Sequence, residues 1–312
     1  MADSMRSVLT SPTAAGGVML GERDAPEGGD VLIAVEYFSL NRGELRSAPS
    51  KPAGTPIGWD LAGVVERSRT DRLAPGQRVV AFSRAQDGWA EQVAVPADDV
   101  APIPDGVTTE VAASLPVAAG TALASLDAGA INLAGRRVLI TGATGGVGAF
   151  AVQLAAAMGA HVTAQVRRDD QADAVKAQGA HEVVVTSDGA ALSSVDPFRM
   201  VIDGIGGDLL SASLARLDND GLAVTYGATG GGASVPIGAL IGKGRASVRG
   251  LNLYAASQVE APRSWLSRLL SLTAAGAVRP PIERRGSWND VGAIASELIA
   301  RKFTGKAVLA VD

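Results

Sequence analysis

Thr141-Gly142-Ala143-Thr144-Gly145-Gly146-Val147-Gly148 decides how this chain is read. It follows the apolar run Val138-Leu139-Ile140 and opens into an alanine-rich stretch, 150–158, with helical spacing. Glycines at a strand-to-helix turn let a pyrophosphate approach the backbone. They also leave the first N–H groups of the helix aimed at its charge. In that strand–turn–helix setting the fingerprint predicts a dinucleotide site, with Thr144, Gly145, Gly146 and Val147 as the expected contacts.

Outward from this turn, strand-like and helix-like segments alternate. Strands are expected at 138–141, 161–166, 182–185, 200–203 and 222–226, and helices at 147–158, 171–178 and 209–217. The alternation implies an α/β fold, a Rossmann-type doubly wound parallel sheet with right-handed crossovers. A last strand is expected at 247–253. Upstream, short strands at 31–37, 62–66, 77–82 and 91–95 are punctuated by Pro75-Gly76 and Pro96, which suggests a small β-rich barrel. Downstream, Trp265, Leu266, Leu269, Leu270 and Leu272 fall near one helical face, as do Val291, Ile294, Ala295, Leu298 and Ile299. Residues 305–309 read as a strand returning to the first domain. The expected division is 1–116, 117–253 and 254–312, the last part rejoining the first.

The chain has 312 residues, 47% of them hydrophobic, enough for two modest cores. A net charge of −4 without a basic stripe argues against a nucleic-acid partner. Residues 138–166 contain no Asp, Glu, Lys or Arg and could pass for a membrane span. The four glycines of the turn interrupt that run, and a buried strand, turn, helix and strand give the same profile, so no membrane association is expected. The first twelve residues lack an apolar signal core, and there is no cysteine to form a disulfide. A cytoplasmic location is the expectation.

The second strand of the alternating region bears on the coenzyme. An NAD site usually ends this strand with Asp or Glu, which binds the ribose 2′-hydroxyl. Here it ends at Val166, and Arg167 and Arg168 follow. Two guanidinium groups suit a 2′-phosphate through forked, charge-assisted hydrogen bonds, which points to NADPH. The competing reading is a solvated loop in which they balance Asp169 and Asp170.

Several further motifs carry a resemblance. They are Asn41, Gly58-Trp59-Asp60-Leu61-Ala62-Gly63-Val64-Val65, Pro75-Gly76-Gln77-Arg78-Val79, Gly88-Trp89-Ala90-Glu91, Asp203-Gly204-Ile205-Gly206-Gly207 and the closing Gly305-Lys306-Ala307-Val308-Leu309. In this order the chain resembles the medium-chain dehydrogenase/reductase superfamily over about residues 31–309. It is most similar to the zinc-free quinone oxidoreductases and enone or enoyl reductases. The resemblance implies that the β-rich first domain is GroES-like.

Zinc needs thiolate, imidazole or carboxylate ligands. The chain has no Cys, and its histidines, His161 and His181, both lie in the nucleotide-binding pattern. By resemblance, zinc-binding members place ligands at positions that fall on Asn41, Trp59 and Val117. No metal site is therefore expected. Without a Lewis acid to polarise an alcohol or simple ketone, hydride transfer is expected to go to an activated acceptor, a quinone or conjugated enone.

The resemblance also assigns roles. Asn41 would hydrogen-bond the acceptor carbonyl or the nicotinamide side, with backbone capping as the competing reading, and Trp59 would line the pocket with Val117, with core packing as the competing reading. Arg42 would reach the pyrophosphate. Thr121, Gly204, Tyr226 and Gly227 would surround the nicotinamide. Asn252 and Tyr254 would border the same cleft, with Tyr254 a candidate proton donor. Many enoyl reductases of this family carry a Tyr soon after the Asn41 position. Here 42–50 has none, and 43–56 is expected to be a mobile lid. Relatives commonly dimerise through sheet edges, which makes 247–251 a candidate edge and a homodimer the expectation. Two alternatives stand beside the leading one. One is a reductase of enoyl thioesters or natural-product intermediates. The other is an NADPH-binding structural or regulatory protein with little turnover.

Overall fold

The computed structural model describes residues 4–312. The chain opens with an antiparallel hairpin of β1 (Ser4–Thr10) and β2 (Val18–Asp24). There follow β3 (Val31–Leu40), α1 (Arg42–Ser47), β4 (Asp60–Ser68), β5 (Arg78–Phe82), β6 (Gln92–Val95) and β7 (Val100–Pro102). Two helices come next, α2 (Thr109–Ala113) and α3 (Pro116–Asp127). The alternating region runs β8 (Arg137–Ile140), α4 (Gly146–Ala157), β9 (His161–Val166), α5 (Ala172–Ala177) and β10 (Glu182–Val185). It continues with β11 (Phe198–Asp203), α6 (Gly207–Ala215), β12 (Leu217–Thr225), α7 (Ile237–Ile241), β13 (Ser247–Gly250) and α8 (Leu253–Ala256). The chain ends in α9 (Pro262–Ala274), β14 (Ile282–Ser287), α10 (Val291–Ile299) and β15 (Lys306–Ala310). These elements form two compact units. One is the chain up to Gly120 together with Ser257–Asp312, and the other is Thr121–Ala256.

The first unit is built on a seven-stranded sheet ordered β14-β15-β3-β4-β5-β7, with β6 also paired to β3. All its ladders are antiparallel except β14–β15. Alternation along β3 sends Val31, Ile33 and Val35 into one apolar cluster. Farther on, Phe38 and Leu40 join a second cluster with Trp89, Trp288 and the inner face of α10. There Phe38 stacks on Trp89 at 5.2 Å and meets Trp288 edge-on at 6.5 Å. Burying side chains of this size contributes roughly 2–3 kcal/mol each. Pairing of Ala307 with Leu40 sets Lys306 beside the end of β3.

The expected lid at 43–56 is corrected by this unit. Leu45 and Ala48 are fully buried in the Trp288 cluster. Thr10 Oγ1 donates to Pro52 O at 2.6 Å and accepts from Thr55 N at 3.0 Å. Gly54 N donates to Thr10 O, and Lys51 Nζ to Gln86 Oε1 at 2.7 Å. The segment is anchored at its middle and at its end. The missing Tyr and short loop suggested a mobile segment, because the partner, Thr10, lies far away in the sequence.

The second unit carries a six-stranded, wholly parallel sheet ordered β10-β9-β8-β11-β12-β13. Strand order reverses between β8 and β11, the place where such sheets open a crevice at their C-terminal ends. Val138, Leu139 and Ile140 are fully buried because both faces of β8 are covered. Helix α4 is buried from Gly148 to Leu154 and on to Ala155, which accounts for the charge-free run. Among the described residues no helix is long and apolar enough to cross a membrane.

Candidate functional site

The turn after β8 is shaped by close approach. Gly142 has φ +58°, a left-handed conformation that L side chains rarely adopt. A Cβ on Gly148 would stand 2.3 Å from Gly142 O, so only glycine fits there. Gln165, buried in β9, holds the turn by accepting from Gly142 N at 2.8 Å. Helix α4 begins at Gly145, an N-cap with no side chain, and has no acidic residue in its first turn. Its leading N–H groups, at Gly146 and Val147, thus lack a side-chain acceptor and suit an anion. Thr144 flanks them, partly buried. These residues fit the pyrophosphate of a dinucleotide.

At the end of β9, Val166 is buried and Arg167 and Arg168 are exposed. Arg168 Nε pairs with Asp170 Oδ1 at 2.9 Å, as the solvated-loop reading held for that residue. Arg167 donates its backbone N–H to Gln171 Oε1 at 3.2 Å.

The loop after β11 makes a second glycine-lined turn. Asp203 is fully buried; its Oδ2 accepts from Gly206 N at 2.9 Å and Thr225 Oγ1 at 3.3 Å. The Tyr226 ring covers Gly204, where a Cβ would lie 2.5 Å from the phenol oxygen. Burial, and then the charge of Asp203, push the Tyr226 hydroxyl well above its usual range, so it stays neutral. Gly227 adjoins, and Thr121 is buried on α3. Asn252 serves its own loop, where its Oδ1 accepts from Ala255 N at 3.1 Å and caps α8. Tyr254 follows it, 49% exposed. The histidines stand at the opposite, N-terminal end of the sheet, their rings 4.8 Å apart, with His161 Nε2 3.1 Å from Glu182.

The first unit holds a buried polar cluster around Asn41. Asn41 Nδ2 donates to Glu44 Oε1 at 3.1 Å and to Asp60 Oδ2 at 2.9 Å. Lys306 Nζ donates to Asn41 Oδ1 at 2.5 Å, to Asp60 Oδ2 at 3.1 Å and to Leu40 O at 3.1 Å. Ser39 Oγ adds a 2.6 Å bond to Asp60 Oδ2, and Val117 N donates to Asp60 Oδ1 at 2.9 Å. Glu44 also accepts from Asn41 N at 2.8 Å and from Trp59 N at 3.0 Å. Lys306 is 2% exposed and Glu44 1%. Both amide hydrogens of Asn41 are engaged inside the cluster, so its side chain is turned inward. Burial, then the neighbouring Asp60 charge, push the Glu44 carboxyl up to about 8; Lys306 and the Asn41 bonds only partly offset this. The shift favours the protonated carboxyl over the carboxylate. Trp59 is partly buried with its ring against Gly43, and Arg42 is partly buried at the start of α1.

Sequence reasoning missed Glu44, Asp60 and Lys306. One signal was present, since an Asn followed three residues later by Glu is a helix-start pattern. The positions at which the resemblance would put zinc ligands hold Asn41, Trp59 and Val117. An engaged amide, an indole and an aliphatic side chain do not form a zinc donor set.

The GroES-like domain of alcohol dehydrogenases matches residues 27–105, and the family described as zinc-binding dehydrogenase matches residues 146–269. Quinone oxidoreductase-like protein 2 of Bos taurus is 30% identical over 90% of this chain and 84% of its own. The chain belongs to the medium-chain dehydrogenase/reductase superfamily, in its zinc-free quinone oxidoreductase group. Within that superfamily, the acrylyl-CoA reductase AcuI of Ruegeria pomeroyi is 28% identical over 91% of both chains. A mycobacterial structure solved with NADPH superposes with a TM-score of 0.84 at 27% identity, covering 98% of this chain and 100% of that one. As a member of this superfamily the chain is an oxidoreductase, with a GroES-like unit and a Rossmann unit.

Proposed function

We propose that this oxidoreductase uses NADPH to reduce a quinone or conjugated enone without a metal. The observation that carries the reading is the occupancy of the Asn41, Trp59 and Val117 positions. They offer no Lewis acid, so the acceptor must already be electron-poor. When bound, NADPH supplies the hydride. Gly145, Gly146 and Val147 would hold its pyrophosphate with Thr144, and Arg167 its 2′-phosphate, with Arg168 as a supporting charge. Gly204, Tyr226, Gly227 and Thr121 would border the nicotinamide, and Asn252 and Tyr254 would stand near it. Trp59 offers a flat apolar surface to a planar acceptor. Asn41, with its amide hydrogens engaged, would act by shaping the wall beside it.

A second reading, an enoyl thioester as acceptor, is supported by the full-length similarity to an acrylyl-CoA reductase. A panel of quinones, enones and enoyl thioesters, followed by loss of NADPH absorbance, separates the two. Consumption by thioesters alone would replace the quinone reading. NADPH binding without consumption by any acceptor would leave a coenzyme-binding protein of little turnover.

We also propose a homodimer. Strand β13 is an edge of the parallel sheet with all four residues exposed, and Ile237 and Ile241 of α7 are 59% and 74% exposed. An open sheet edge is a template for pairing with a second copy. We propose a cytoplasmic location as well.

A further inference from the structure

Asn41, Trp59 and Val117 stand on three separate stretches of chain: the end of β3, the loop before β4 and the first turn of α3. Each is hydrogen-bonded to at least one of two buried carboxyl groups, and Asn41 to both. Glu44 accepts from the backbone of Asn41 and of Trp59. Asp60 accepts from the Asn41 amide and from the backbone of Val117. Lys306, arriving on a strand from the far end of the chain, binds both Asn41 and Asp60.

Stability alone does not account for this arrangement. A buried ion pair is often no better than a well-packed apolar replacement, because desolvation offsets the Coulomb gain. What the two carboxyl groups supply is direction: each of their oxygens accepts from an N–H of the same small wall. The charged groups acting on Glu44 are Asp60 and Lys306, while α10, packed against α1, contributes the apolar Ile294, Ala295 and Leu298.

We infer that Lys306 and Glu44 are positioning residues that, with Asp60, lock Asn41, Trp59 and Val117 into one rigid wall. Three separate stretches of chain are thereby joined by one hydrogen-bonded clasp of two carboxyl groups and an ammonium. The inference rests on the reading of this wall as the acceptor's side of the site.

The test uses the full-length protein with NADPH and the best acceptor of the panel. In Lys306→Met, kcat/KM for the acceptor is expected to fall about tenfold or more, since a small misplacement of a site group is costly. The dissociation constant for NADPH should stay within about twofold, as for independent sites. Lys306→Arg, which keeps the charge, should recover most of the loss. Amide hydrogen exchange at Trp59 and Val117 should accelerate in Lys306→Met while the β8–β12 amides keep their protection. If Lys306→Met does not fold, Lys306→Met/Asp60→Asn removes both charges together and carries the same comparison. Unchanged acceptor kinetics, an equal loss in Lys306→Arg, or unchanged exchange at Trp59 and Val117 would each overturn the clasp. If the unmodified protein consumes no acceptor, the functional reading has failed, and the exchange measurement still decides the clasp.

Discussion

Thr141 Oγ1 donates a 2.6 Å hydrogen bond to Asp203 Oδ1, joining the C-terminal ends of β8 and β11. The two strands flank the point where sheet order reverses, so one fully buried bond fixes the spacing of both glycine turns. Thr141→Val leaves an Asp203 oxygen short of a donor in an apolar surrounding. The cost should be about 1–3 kcal/mol, the penalty of an unsatisfied buried polar group. Chemical denaturation followed by circular dichroism measures it. A midpoint equal to that of the unmodified protein would show the bond to be dispensable.

Gly148 allows no side chain, because a Cβ would collide with Gly142 O. Gly148→Ala should push the turn outward and weaken NADPH binding about tenfold or more, since overpacking of this kind costs roughly 1–3 kcal/mol. Fluorescence titration with NADPH reads the effect. Undiminished affinity would remove the pyrophosphate from this turn.

Coenzyme choice should depend on Arg167 more than on Arg168, whose guanidinium is shared with Asp170. Arg167→Glu should weaken NADPH binding roughly tenfold to a hundredfold, the scale of one or two hydrogen bonds to a charged group. NADH binding should change little. Comparison of the two dissociation constants decides it, and equal losses for both coenzymes would count against a 2′-phosphate contact.

Glu44 makes stability depend on pH with a definite sign. Its carboxyl sits at about 8 in the folded chain against an ordinary value of 4.5. Below 4.5 both states are protonated and the contribution is fully present. Between 4.5 and about 8 the unfolded chain releases a proton that the folded one retains, so stability falls as pH rises. The steepest decline from this one group is about 1.4 kcal/mol per pH unit. Glu44→Gln should flatten the curve in that window. Denaturation midpoints at several pH values test this, and an unaltered slope in Glu44→Gln would assign the dependence elsewhere.

Edge strand β13 gives a prediction on assembly. Val248, 39% exposed, lies in the middle of it. Val248→Pro removes a backbone donor from the edge and should turn two-chain particles into single chains in sedimentation velocity. A single-chain species in the unmodified protein at micromolar concentration would dismiss the homodimer.

The Rossmann unit was legible because its signals are local. Residues 138–140, a glycine turn and a helical repeat are neighbours in sequence, and the structure places β8 and α4 on them. Strand β14 escaped notice because Ile282–Ser287 is an arginine-bearing edge without alternation. Helix α3 escaped because Pro116–Asp127 is apolar nearly all round and offers no period to detect. The hairpin of β1 and β2 mixes serines and arginines into a weak pattern. Most hidden of all was the cluster of Glu44, Asp60 and Lys306. Charged residues read as surface, and only the antiparallel pairing of β15 with β3 reveals that Lys306 points inward.

The attachment of 43–56 to Thr10 bears on selectivity. A flap free to swing would admit bulky molecules and fold down over each. A border stitched at Gly54 and Thr55 cannot yield in that way. Discrimination among acceptors must then follow from fixed dimensions, so turnover should drop abruptly with ring size rather than decline smoothly.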